Sequence, residues 1–313
     1  MIIKHRAVAV PCLVLVVLLL LASAVNAETL LKPYILVSQQ AGADAAAVMQ
    51  ETRQKLTNAG FTIAGEYSPY PGASIIVITN DALKQNAAAT DFGGFGAALR
   101  VTVTKVKDEV QVAFTNPVYM ANAYRMKSDL SDVATQLKSA LGDKGEYGPD
   151  KGRSAEDLRD YHYKWLMPYF TDRITLASYK TYQEAVSKVE QTLKQDNKGG
   201  VKEVYRVDIP GKEQTVIGVN MTGPDKVECS GDKYIMNRID FKSLRSTGHL
   251  PYEMLISGKT VYTLPAEFRI AISFPDLSMI GSNSFASIMC APNAIKKALT
   301  FAAGGTGKED SDF

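Results

Sequence analysis

Residues 110–141 read VQVAFTNPVYMANAYRMKSDLSDVATQLKSAL, and residues 268–299 read FRIAISFPDLSMIGSNSFASIMCAPNAIKKAL. Adding 158 to each number of the first superposes it on the second without a gap. Val112 then falls on Ile270, Phe114 on Ile272, Pro117 on Pro275, Leu130 on Ile288, Leu137 on Ile295, Lys138 on Lys296 and Leu141 on Leu299. Both stretches end in a helical spacing of apolar residues. The chain is therefore read as two copies of one unit, an internal duplication.

Working outward from the first stretch, 34–37 is a short β run. Residues 42–56 follow as a helix, with Ala45, Val48, Met49, Thr52 and Leu56 on one face. Gly60 stops it, and 61–67 is the second strand. The run Ile75-Ile-Val-Ile78 is the pattern of a central, buried strand. Residues 81–89 form a short helix. Residues 99–106 and 110–114 alternate apolar and polar around Lys107-Asp108, a hairpin. The closing helix starts near Ser128 as N-cap and ends at Gly142.

Residues 142–153, GDKGEYGPDKGR, read as a linker, and Ser154-Ala-Glu-Asp157 as a capping box opening a short aromatic helix. That helix carries Leu158, Tyr161, His162, Trp165 and Leu166 on one face and is broken by Pro168. Copy two then repeats the order: strand 174–177, helix 182–193, strand 201–209, strand 215–221. The offset between copies is about 140 here and 158 later. Residues 222–267 are accordingly expected to hold an insertion, and insertions occupy surface loops.

The expected fold class is α+β. Two similar two-layer α/β sandwich domains each set a mixed or antiparallel sheet against helices on one face. The boundaries are a signal peptide at 1–27, a first domain at 28–141, a linker with its aromatic helix at 142–172, a second domain at 173–304 and a disordered tail at 305–313.

The helix ending in Leu56-Thr-Asn-Ala-Gly-Phe61, the buried 75–78 strand, the 99–114 hairpin, the Asn116-Pro117 strand end and the closing amphipathic helix resemble the bacterial family called domain of unknown function 302. Copy two is similar to a diverged member. Typical members carry Asn-Pro after the central strand and Pro-Cys-Asn before the hairpin; here Thr79-Asn80-Asp81 and Gly96-Ala97-Ala98 stand in those places. The resemblance implies a two-layer α/β domain. It implies no reaction, so no catalytic residue transfers.

Composition bounds the function. Lys4, His5 and Arg6, the apolar run 8–21 and the small residues 22–27 read as an export signal, with cleavage after Ala27 and a periplasmic or secreted destination. No later stretch is apolar and long enough to span a membrane. Of 35 basic residues, 33 remain once Lys4 and Arg6 are removed, against 33 acidic. That zero balance argues against nucleic acid as a partner.

Cys229 and Cys290 remain as a disulfide candidate or as two buried thiols. The remaining histidines, His162 and His249, form no HxH or HExxH, so no metal is assigned. With no G-x-S-x-G and no C-x-x-C-H, neither a catalytic set nor a cofactor is assigned. The loop Phe92-Gly-Gly-Phe-Gly96 and the run 161–170 are the candidate ligand-binding features. Phe92, Phe95, His162, Trp165 and His249 are the residues singled out. The leading reading is a small-ligand-binding or partner-docking accessory module. The alternatives are an enzyme using His162, His249 and Cys229 at the domain junction, and an aromatic surface that forms a homo-oligomer.

Overall fold

A computed structural model describes residues 29–195, 198–224 and 227–305. The expected signal segment and the tail beyond residue 305 lie outside the described residues.

The first half runs β1 (Tyr34–Ala41), α1 (Ala45–Asn58), β2 (Thr62–Tyr67), β3 (Ala73–Thr79), α2 (Asp81–Ala89), β4 (Leu99–Val106), β5 (Glu109–Thr115), α3 (Pro117–Ala123) and α4 (Ser131–Leu141). A two-residue strand β6 (Glu146–Tyr147) and a short helix α5 (Ala155–Arg159) connect it to the rest. The second half runs β7 (Ile174–Ser178), α6 (Tyr182–Lys194), β8 (Val201–Asp208), β9 (Gln214–Met221), α7 (Asp232–Ile239), β10 (Tyr252–Ser257), β11 (Thr260–Thr263), α8 (Ala266–Ser273) and α9 (Ala291–Ala302).

The sheets are ordered β2-β3-β4-β5-β1-β6 and β8-β9-β10-β11-β7, antiparallel throughout. Within its own half, each follows the order second, third, fourth, fifth, first. The α+β class with two antiparallel sheets is as expected. β6 lies inside the segment read as a linker, and it pairs with β1 through Tyr34 and Ile35.

The reading of 222–267 as a surface insertion fails. Residues 252–257 and 260–263 are β10 and β11, the strands that stand where β4 and β5 stand in the first sheet. Met254, Leu255 and Ile256 are fully buried. Residues 268–273, superposed on strand β5 by the 158 offset, belong to helix α8 instead. AEFRIAIS is apolar on nearly every side, and a short apolar run cannot be told from a buried strand by periodicity. Tertiary packing decided it: seven of its eight residues are buried.

Two helix boundaries also differ from expectation. α4 begins at Ser131 after Leu130 in the left-handed region, while the Ser128 N–H donates to Asn86 Oδ1 at 2.8 Å. α5 is capped by Ser154, whose Oγ accepts from Asp157 N at 3.0 Å, but it ends at Arg159. Trp165 and Leu166 are therefore not on its face.

Each sheet packs helices on one side and the other half of the chain on the other. β4 alternates Leu99, Val101 and Val103 with Arg100, Thr102 and Thr104, yet all six are buried. The apolar set meets the helices. The polar set faces the second half, where Thr104 Oγ1 lies 2.9 Å from Thr247 Oγ1. Gln111 binds Ser243 O and Arg245 N at 2.8 and 3.1 Å.

The contact is reciprocal. The 3-10 turn Gly93–Gly96 lies on β9 and β10, and the turn Thr247–His249 lies on β3, β4 and β5. The approach is close at both contacts: a Cβ on Gly94 would stand 2.4 Å from Leu255 Cδ1 and force that side chain to move, and one on Gly248 would stand 3.1 Å from Thr115 Cγ2.

At the centre of this junction Arg100 forms an ion pair with Glu253, each with a side chain 2% exposed. Tyr205 OH donates to Glu253 Oε1 at 2.6 Å, and Arg269 Nε lies 3.7 Å from Glu253 Oε2. Burial opposes the Arg100 charge, but Glu253, Tyr205 and Tyr124 outweigh it, so its pKa sits above the ordinary value. Removing Glu253 would leave two guanidinium groups in the interior without their anion. Glu253→Ala is expected to lower the free energy of unfolding by about 3–5 kcal/mol, read from urea denaturation. A loss below about 1 kcal/mol would show that the pair does not hold the halves together.

Candidate functional site: a basic cleft beside the junction

A concavity of about 610 Å³ is lined by residues 89–92, Arg125, Lys127, Arg159, Phe170, Thr171 and Arg173. That volume suits a small ligand. Four parts of the chain build it: the turn after α2, the turn after α3, the end of α5, and the segment that leads into β7.

The first turn is held from both sides. Lys127 N donates to Thr90 Oγ1 at 2.9 Å, and Lys212 Nζ of the second half donates to Thr90 O at 3.1 Å. Phe92, which follows, sits at φ 52, and Arg125 also sits at φ 52. Non-glycine residues in the left-handed region are uncommon and gather at sites over-determined by their surroundings. Two of them line this one cleft.

The walls are aromatic. The Phe92 ring meets Tyr262 of β11 edge-on at 5.2 Å, and the Phe170 ring meets Phe95, Tyr124 and Phe268 at 6.3, 5.7 and 6.0 Å. The Arg173 guanidinium lies 3.7 Å over the Phe92 ring, within cation–π range. Burial lowers the Arg173 pKa from its ordinary value.

Arg159 Nη1 donates to Met126 O at 3.1 Å, and Arg125 Nη2 to Asp160 Oδ1 at 3.0 Å. The Asp160 side chain is 82% exposed, so water screens that pair strongly. Arg125 Nε is buried with no hydrogen-bond partner among the described residues. Four cations thus converge on a cleft whose one lining acid is Asp91.

The residues singled out from sequence are scattered. Phe92 is a wall of the cleft, and Phe95 is buried behind Phe170. His162 stands outside, its ring 4.5 Å from Tyr169. Trp165 is almost wholly exposed. His249 is fully buried, with Nδ1 3.0 Å from Ser273 Oγ and Nε2 2.9 Å from Tyr252 OH. Burial, then Arg269 and Arg100, pushes its pKa well below the usual histidine value, so it is neutral.

Cys229 is joined to Cys290 in a disulfide that ties the turn Glu228–Ser230 to the start of α9. It offers no thiol. The enzyme built on His162, His249 and Cys229 is therefore not assembled: one member is enclosed and hydrogen-bonded, one is oxidised, and one lies on the connecting segment. No group of three His, Cys, Asp or Glu side chains forms a metal site among the described residues. The four cleft cations were missed because each, in sequence, reads as an ordinary solvated charge. Only the fold brings positions 125, 127, 159 and 173 together.

One carboxyl of the junction is strongly perturbed. Asp232, the first residue of α7, is buried, with Oδ2 3.3 Å from Tyr67 OH and 3.4 Å from Met221 N. Its Oδ1 has no hydrogen-bond partner among the described residues. Burial pushes its pKa up to about 8 from 3.8, with the bonds from Met221 and Tyr67 opposing. Below the ordinary carboxyl pKa, folded and unfolded chains both hold the proton. Between the two values only the folded chain does, so each rise in pH favours unfolding; above about 8 the contribution is gone. Unfolding free energy is expected to fall between pH 4 and 8 by up to about 1.4 kcal/mol per unit from this group. Denaturation of Asp232→Asn across that range should lack this component; an unchanged slope would sink the assignment.

No protein-family model matches the chain, and no curated protein matches it. Among solved structures, a protein described as an uncharacterized conserved protein, DUF302, from Bacillus stearothermophilus is similar at 11% identity and a TM-score of 0.30. The match covers 33% of this chain and 94% of that one.

Proposed function

We propose that the chain is an exported binding module that takes a small anionic ligand with an aromatic or apolar part in the basic cleft. One observation carries this reading: Arg125, Lys127, Arg159 and Arg173 converge on a concavity walled by Phe92 and Phe170. Guanidinium groups favour carboxylate and phosphate oxygens, which they can grip with two parallel bonds. The phenylalanine walls favour a flat or apolar body. The cations outnumber the one lining carboxylate, Asp91, so capture of an anion is the reading the chemistry supports. The common strand order of the two halves is consistent with descent from a duplicated unit.

Calorimetric titration of the chain with benzoate-class aromatic acids at low salt tests the cleft. Binding is expected, weakening as ionic strength rises. Arg125→Gln and Arg173→Gln should each reduce affinity about tenfold, since an ion pair to a bound anion contributes roughly 1.5–3 kcal/mol. Affinity unchanged in both variants, or no binding of any such acid, would overturn the reading. Export is tested separately, by fractionation and N-terminal sequencing. The expected periplasmic chain begins at Glu28; a retained N-terminus in the cytoplasm would sink that part.

A further inference from the structure

Two exposed apolar tips stand next to each other away from the cleft. One is Trp165-Leu166, 86% and 81% exposed, with Leu166 at φ 67. The other is Met279-Ile280, 39% and 81% exposed. The Tyr163 and Phe285 rings stack at 6.1 Å and join the bases of the two loops. Between the tips lies a concavity of about 280 Å³ lined by Arg153, Tyr163, Lys164, residues 275–278 and Met279.

The charges there are arranged for an anion. Lys164 precedes Trp165 directly and lies over the Tyr163 ring at 5.6 Å. The Arg153 guanidinium lies 4.5 Å over Tyr161. Asp276, the acid of the concavity, is taken up by an ion pair with Lys242.

From this arrangement we infer that the chain attaches peripherally to an anionic phospholipid surface. Trp165, Leu166 and Ile280 enter the boundary between headgroups and acyl chains, and lipid phosphates sit between the tips against Lys164 and Arg153. Tryptophan favours the headgroup level, where its ring is buried and its N–H stays wet. Paired apolar insertion and cation–phosphate contact is what holds a protein on such a surface without a spanning helix. Among the described residues no helix is long and apolar enough to cross a membrane. Exposed aliphatic side chains around a cationic hollow match a lipid better than a second protein, whose docking would need backbone or polar partners for the hollow. The attachment is independent of the cleft, and neither stands or falls with the other.

Trp165 is the only tryptophan of the chain, so its emission reports this tip alone. The experiment titrates the full chain with phosphatidylcholine vesicles containing a minority of phosphatidylglycerol and acyl chains brominated near the headgroup. Expected are a shift of Trp165 emission to shorter wavelength and quenching by the bromolipid. In the double variant Leu166→Ser with Ile280→Ser, the lipid concentration needed for half the response should rise at least about tenfold, for two aliphatic groups removed from the insertion. Lys164→Gln should weaken the response on the anionic vesicles and leave it unchanged on pure phosphatidylcholine. Co-sedimentation without quenching of Trp165 would place the attachment elsewhere and overturn the inference. So would no response at all, or an emission shift that follows protein concentration without lipid, which would mean that a second copy covers the tips.

Discussion

A glutamate enclosed between two arginines governs this molecule. Glu253 is on β10 of one half, Arg100 on β4 of the other, and Arg269 on α8 behind them. Arg100 and Glu253 occupy matching places: Arg100 pairs with Val77 on the third strand of its sheet, and Glu253 with Gly218 on the third strand of its own. Facing like positions with opposite charges is a solution open to a single chain. Identical subunits meeting across a two-fold axis would set like against like. Buried charge is costly and persists only when paired and hydrogen-bonded, so the junction commits the halves to one mutual placement.

The consequences spread outward from that junction. A large apolar cluster runs through both halves, and a smaller one of Tyr34, Leu36, Ala113 and Tyr147 lies beside it. Tyr205, Tyr124 and His249 each hydrogen-bond other buried groups. Arg269 donates to the His249 carbonyl at 2.8 Å, and it also bonds the Tyr124 hydroxyl. Open to solvent is the edge of the junction, where the turns after α2 and α3, the end of α5 and the segment before β7 meet and leave the cationic cleft.

Much of the first half could be read residue by residue. The β-branched run 75–78, the hairpin around Lys107-Asp108, the helix 81–89 and the spacing of Val48, Thr52 and Leu56 each carry a local signal, and the elements found there follow it closely. The second half was legible as far as Met221. Beyond it, the apolar residues 266–273 misled, because a helix buried on nearly all sides shows no stripe. The cleft was legible only at Phe92. Its left-handed backbone gives no sign in the residue type, and its four cations are spread over 49 positions of chain, from 125 to 173.

By itself the sequence determined the α+β class, the strands and helices with a strong period, and the cysteines available to pair, because these depend on local propensity and on composition. Alternation along β4 and β5 was also plain, but its meaning was not. Thr102, Thr104 and Gln111 are the polar members of that alternation, and the tertiary structure buries them against the second half. That covering is a long-range event between residues more than a hundred positions apart, for which local sequence carries no signal. The same covering encloses His249; the Cys229–Cys290 bond forms within the second half, and Arg125, Arg159 and Arg173 meet where the connecting segments come together.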